Sequence, residues 1–396
     1  MSYYIKNNSR TLSDLEPLIE KIKIIGKDII AVHADNVDQE ARFPLEAINA
    51  LKNEKLLSCY VPVELGGMGL SVLEVSKICE VIGAFCSSTA MIFAMHQIQA
   101  AIIVHHGLSS KFFESYAKEL VEKQFLLASA TTELGIGGDV RSSICAPSFS
   151  ENFLRLEKQA SVISYGAYAD AILVTCRKSS EASRNDQIEI LVKKEDYTLK
   201  ELSGWDTLGF RGTCSNGFVL NAKCNIEQIL PVDYAEIHRI TMHPFAHSVW
   251  AALWLGIASE SVRLARSAVR IEARKNPDLL PPSALRLAEV DSVLFSMRGG
   301  SYQAINEYQQ YLTDKNAEAF TNFGFTSRIN NLKITSSQLI IEIVGKSMLI
   351  CGISGYRNDS KLSLGRLLRD AYGASLMVNN DRILGQSAMT QIMQRD

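Results

Sequence analysis

The chain has 396 residues, 47% of them hydrophobic, with 41 basic against 43 acidic side chains. That is enough for two or three packed layers or domains, and no basic stripe interleaved with aromatics offers a footprint for nucleic acid. No apolar run approaches the roughly 20 residues of a membrane span, and the opening MSYYIKNNSR lacks a signal peptide's apolar core, so a cytoplasmic protein is expected.

The first third reads as helices. SDLEPLIEKIKIIGKDII carries apolar residues at helical spacing. After Phe43-Pro44, the turn VPVELGGMGLS breaks the period with Gly66, Gly67 and Gly69. The following run, LEVSKICEVIGAFCSSTAMIFAMHQIQAAIIVHHG, is apolar almost all round, which places a helix inside a bundle. At about Phe125 the pattern changes. FLLASATT, NFLRLEK, AILVTC and QIEILVK are short and separated by polar clusters, predicting a small, mostly antiparallel β domain to about Pro231. From Tyr234 helical periodicity returns in three long stretches, and with a closing helix after Asp381 they predict a four-helix bundle. The predicted fold is α+β: a helical domain over 1–123, a small β-barrel or sandwich over 124–231, and a helical bundle over 232–396. The eight cysteines are scattered singly and are read as reduced small hydrophobes, not as disulfides or a zinc site.

Six segments, in order, carry a resemblance. They are VPVELGGMG, TTELGIGGD, SVISYGAYADAILV, GWDTLGFRGTCSNGFVL, EARKN and CGISGYRNDSKLSLGRLLRDAYGASLMVNNDRI. Together they resemble the acyl-CoA dehydrogenase family over essentially the whole chain. The resemblance implies an FAD cofactor, an acyl thioester substrate on CoA or an acyl carrier protein, an electron-transferring flavoprotein as partner, and a homodimer or homotetramer. By position it implies that Thr131 and Thr132 bond the flavin ring, with Gly137 and Gly138 letting the main chain approach. Ser164 would stand near the ring, Arg274 would reach a partner subunit's diphosphate, and Gly352 and Asn380 would lie near diphosphate and adenine. Val162 takes the place of the family's tryptophan over the flavin, Gly138 that of a serine, Leu134 that of a proline, and Leu349 that of a glutamine.

The family's reaction needs a carboxylate to remove a weakly acidic α-proton. Here Met377-Val378-Asn379-Asn380 stands over the family's Tyr-Glu-Gly-Thr, so Val378 can offer only its backbone. The alternative position, counted back from Gly256, falls at Ala246. His247, with His243 one turn earlier, and Asp381 remain as base candidates. Capping of the next helix is the plainer role for Asp381. Two histidines without a third ligand make no zinc site. Three functions are carried forward. The first is an α,β-dehydrogenase of acyl thioesters with a displaced base. The others are a flavin monooxygenase on the same fold and a base-less subunit of a hetero-oligomer.

Overall fold

The computed structural model describes residues 12–275 and 277–393; the opening decapeptide lies outside them. Helices α1 (Leu12–Ile25) and α2 (Ala31–Gln39) continue through a wider, π-type turn at Gly26–Ile30. Glycine is required there, since a Cβ on Gly26 would come within 2.3 Å of the Phe85 ring. After α3 (Leu45–Asn53) the chain turns sharply, and Gly66 adopts φ +90°. Helix α4 (Val72–Gly83) starts on a capping box in which Ser71 and Glu74 exchange hydrogen bonds. The long apolar run is two helices, because Cys86 is extended (φ −150°, ψ 115°) and α5 (Ser87–Ile102) begins afresh. Helix α6 (Lys111–Lys123) closes this layer.

Two helical stretches, Ser87–Gly107 and Phe323–Cys351, are long and apolar enough to cross a membrane by length and composition, contrary to the sequence expectation. The first is 94% buried inside the protein, so its apolarity is accounted for by the core.

Seven strands follow: β1 (Leu127–Ala130), β2 (Ser148–Ser150), β3 (Phe153–Ala160), β4 (Ala171–Arg177), β5 (Gln187–Lys193), β6 (Tyr197–Ser203) and β7 (Gly217–Asn225). They form one sheet in the order β1-β4-β5 and another in the order β2-β3-β7-β6. The β1–β4 pair is parallel and the others are antiparallel. The parallel pair arises because the chain leaves β1, forms a glycine loop and β3 in the other sheet, and only then returns. β3 alternates exposed and buried residues, yet one buried position is Lys158. Its ammonium donates to Thr175 O at 2.6 Å.

Glu189 on β5 is fully buried, and neither carboxyl oxygen has a partner. Burial pushes it from 4.5 to about 8, against the opposing pull of Lys158. Between those values the folded chain keeps a proton that the unfolded chain has lost, so stability falls as pH rises across that window. Glu189→Gln is therefore expected to remove this loss. The variant should be the more stable protein above about pH 8, by a few kcal/mol, and close to wild type below 4.5. Thermal midpoints below, within and above the window check it.

The C-terminal helices are α7 (Tyr234–Ile237), α8 (His243–Ala273), α9 (Pro282–Thr313), α10 (Phe323–Cys351), α11 (Ile353–Tyr356), α12 (Gly365–Leu376) and α13 (Asn380–Met393). A π-type turn at His238–Met242 leads into α8. α8 crosses α4 at two glycines: a Cβ on Gly83 would lie 2.5 Å from Leu253 O, and one on Gly256 2.1 Å from Glu80 O. Three long helices with α12 and α13 against them complete the observed architecture of helical layer, small sheets and helical layer.

Candidate active site

The glycine loop after β1 is shaped from inside. Buried Glu133 accepts from Ser143 Oγ (2.8 Å), Ile144 N (2.9 Å) and Cys145 N (2.8 Å), drawing the far end of the loop back. Gly135, Gly137 and Gly138 all take positive φ, and space around Gly137 is open. Among the described residues, no acceptor takes the N–H of Thr132, Gly137 or Gly138, and the hydroxyl of Thr131, a largely buried residue, has no hydrogen-bond partner. Thr132 Oγ1 donates to Val162 O at 3.0 Å. Ser164 Oγ accepts from Ser215 at 2.8 Å, and the chain of hydroxyls runs on to Thr213.

An ion pair between Asp139 and Arg382 joins this loop to the start of α13. It brings together two motifs separated by more than half the sequence. Between α12 and α13, Val378 and Asn379 adopt φ +50° and +24°. A β-branched residue in the left-handed region is rare, and this one is the residue that the sequence reading aligned with the family's base. Its backbone N–H makes no hydrogen bond to a described carbonyl. Asp381 is exposed in the first turn of α13; Asn379, not Asp381, caps that turn by accepting from the Asp381 N–H at 3.0 Å.

Asn380 turns inward. Its Oδ1 accepts from Lys333 Nζ at 2.6 Å, and its Nδ2 donates to Ser337 Oγ at 3.0 Å. Lys333 is fully buried, and loss of water lowers it from 10.5 to about 8. Residues 329, 330, 333 and 337 of α10 share a face at helical spacing, and that face meets a ladder of imidazoles on α8 and the turn before it. His238 and His243 stack at 5.6 Å, and His243 and His247 meet edge to face at 4.4 Å. His243 Nε2 donates to Asn330 Oδ1 (2.9 Å), and His247 Nδ1 to Ile329 O (3.2 Å), these being the tautomers that the acceptors demand. Burial holds His238 at about 3 and His243 at about 4, and pushes His247 well below its ordinary value.

The structure thus gathers Gly137, Gly138, Val378, Asn380 and Asp381 around the Asp139–Arg382 link, with His247 behind Lys333. Arg274 stands exposed at the end of α8, and Gly352 (φ +58°) ends α10 with open space around it. Exposed Leu349 lies on the same stretch. The sequence reading missed Lys333 and Arg382. The signal for Lys333 was a lone lysine on the buried face of an apolar helix, which demands a polar partner. No cluster of metal-ligating side chains occurs among the described residues.

Residues 15–124 match the family model described as acyl-CoA dehydrogenase, N-terminal domain. The cyclohex-1-ene-1-carbonyl-CoA dehydrogenase of Geobacter metallireducens is 23% identical over 372 residues, covering 92% of this chain and 94% of that protein. Residues 15–124 thus match the family's N-terminal domain, and the chain is similar to acyl-CoA dehydrogenases along its length. In structure it is similar to butyryl-CoA dehydrogenase of Megasphaera elsdenii (TM-score 0.82, 18% identity, 97% and 100% of the two chains). It is equally similar to FMN-bound TdsC of Paenibacillus sp. A11-2 (TM-score 0.83, 17% identity, 96% and 98%).

The residues present fit a flavin. The free Thr131 hydroxyl and the uncommitted N–H groups of Thr132, Gly137 and Gly138 suit the polar edge of a ring, and the glycines leave room for it. Glu133 sets that edge, so Glu133→Ala frees two part-buried N–H groups and a buried hydroxyl at once. At about 1–3 kcal/mol for each hydrogen bond to a charged group, this is expected to weaken flavin binding by tenfold or more. Flavin fluorescence titration of the apoprotein measures it.

Proposed function

We propose that this protein is an FAD-dependent dehydrogenase that forms an α,β-double bond in an acyl thioester, with Lys333 as the α-proton acceptor. The supporting observation is the buried Lys333–Asn380 pair, whose asparagine lies two residues from Val378, the position aligned with the family's carboxylate. Bound flavin would accept the β-hydride; the chain's own part is to place the thioester and take the α-proton. The N–H of Val378, which has no carbonyl acceptor among the described residues, would be free to donate to the thioester oxygen as enolate character grows. Lys333, at about 8, has an unprotonated fraction of roughly a tenth at pH 7. His247 is less suited: an imidazole held well below its ordinary value takes a proton poorly. Asp381 is exposed at the surface, so we assign it no proton transfer.

Large apolar side chains lie exposed on the C-terminal helices, among them Leu285, Phe295, Leu349 and Ile353. They support a homo-oligomer in which Arg274 reaches a partner subunit's cofactor. A cytoplasmic location, a CoA or carrier-protein thioester and an electron-transferring flavoprotein as acceptor belong to the same reading. The test is product analysis: incubation with saturated acyl thioesters and an artificial electron acceptor yields a thioester lighter by two hydrogens.

A flavin monooxygenase is the second reading. It draws on the missing carboxylate, which oxygenation would not need, and on the fold shared with TdsC, a dibenzothiophene monooxygenase. Oxygen uptake driven by supplied reduced flavin, without thioester oxidation, would favour it.

A further inference from the structure

The basic helix α12 has a second surface that the proposed reaction does not use. Arg366 and Arg369 line a cleft of about 860 Å³ formed by all three layers of the protein. Its walls come from the Gly26–Ile30 turn and α2, the residues just after α4, the Thr207–Arg211 loop, the middle of α8, and the loop that precedes α12. None of Thr131, Thr132, Ser164, Arg274, Gly352 or Asn380 lines it.

Six cations face three carboxylates there: Lys27, Arg211, Arg263, Lys361, Arg366 and Arg369 against Asp35, Asp38 and Glu260. Every carboxylate is already engaged. Asp35 takes Arg366 Nε at 3.2 Å, Asp38 pairs with Arg369, and Glu260 takes Arg263 through two nitrogens at 2.6 and 2.7 Å. Lys27 and Lys361 are left without an acidic partner among the described residues. Deeper in, Arg366 Nη1 is buried and has no acceptor. A buried guanidinium N–H left unpaired is destabilising, and a bound oxyanion would recover that loss. Ser360 and Ser363 each accept a backbone N–H (Leu362 N at 3.1 Å, Gly365 N at 3.4 Å), leaving their own hydroxyl protons to donate. The volume lies in the range of small-molecule pockets and far exceeds one phosphate, and Phe85 and Leu264 give it an apolar wall.

We propose that this cleft is a second ligand site, which binds a phosphoanhydride-bearing small molecule with Arg366 at its base and Lys27 and Lys361 at its rim. Such a ligand would bridge the helical layers and the loop of the β domain. Planar guanidinium forks suit phosphate oxygens, and flexible lysines suit the remaining charge.

Calorimetric titration of the flavin-loaded protein with sodium pyrophosphate, and separately with ADP, tests this. The expected result is saturable binding that weakens about tenfold or more in Arg366→Gln and in the double variant Lys27→Ala/Lys361→Ala. The double variant changes only exposed side chains, so its result does not depend on folding. Absence of saturable binding, or binding unchanged in the double variant, overturns the proposal. Binding seen only in flavin-free protein also overturns it, because the anion would then be occupying the cofactor's own diphosphate site.

Discussion

Replacing Lys333 by methionine is expected to leave a folded, flavin-loaded protein whose substrate-driven flavin reduction is slower by about 100-fold or more. Methionine fills similar volume without burying a charge, and Asn380 keeps its bonds with Ser337. The effect therefore falls on proton transfer more than on folding. The sign of the pH dependence makes the test specific. An amine must be neutral to accept a proton, so the wild-type rate should rise with pH through about 8 and then level off. The methionine variant should lose that rise. Single-turnover mixing across a pH series measures both, and an unchanged rate in the variant would place the base elsewhere.

The largest stability effect is expected at Gly256. A methyl group there would lie 2.1 Å from Glu80 O and 3.0 Å from Ala84 N, both backbone atoms of α4. Alanine gains about 1 kcal/mol of helix propensity over glycine. Forcing two packed helices apart costs about 1–3 kcal/mol or more for overpacking, and here no side chain can swing away. Repulsion wins, since the crossing is fixed from both sides by Gly83 and Gly256. Gly256→Ala should thus lower the denaturant midpoint clearly, followed by circular dichroism. Buried Glu80, held by Lys77 (2.9 Å) and Tyr302 (2.5 Å), would move with the separated helices.

Much of this architecture was legible because its signals are local. Period and turn chemistry marked the helices, the change near Phe125 marked the strands, and positive-φ glycines stand where TTELGIGGD breaks its pattern. The break at Cys86 was not legible, because apolar text continues across it and only the backbone conformation ends the helix. The parallel β1–β4 pair was hidden for a related reason: pairing between strands distant in sequence leaves no mark in short strands. At the site, Val378 announced what was missing. What stands behind it did not show, because Lys333 and Asn380 meet only when α10 packs against α13. The pairing of Asp139 with Arg382 is just as distant in sequence, and it is what gathers the site.

Anaerobic addition of acyl thioesters, CoA-linked and carrier-linked, to the purified flavin-loaded protein tests the central claim most directly. The visible absorbance of the oxidised flavin should fall with at least one thioester, and an α,β-unsaturated thioester should form in equal amount. Full retention of that absorbance with every thioester would contradict the account.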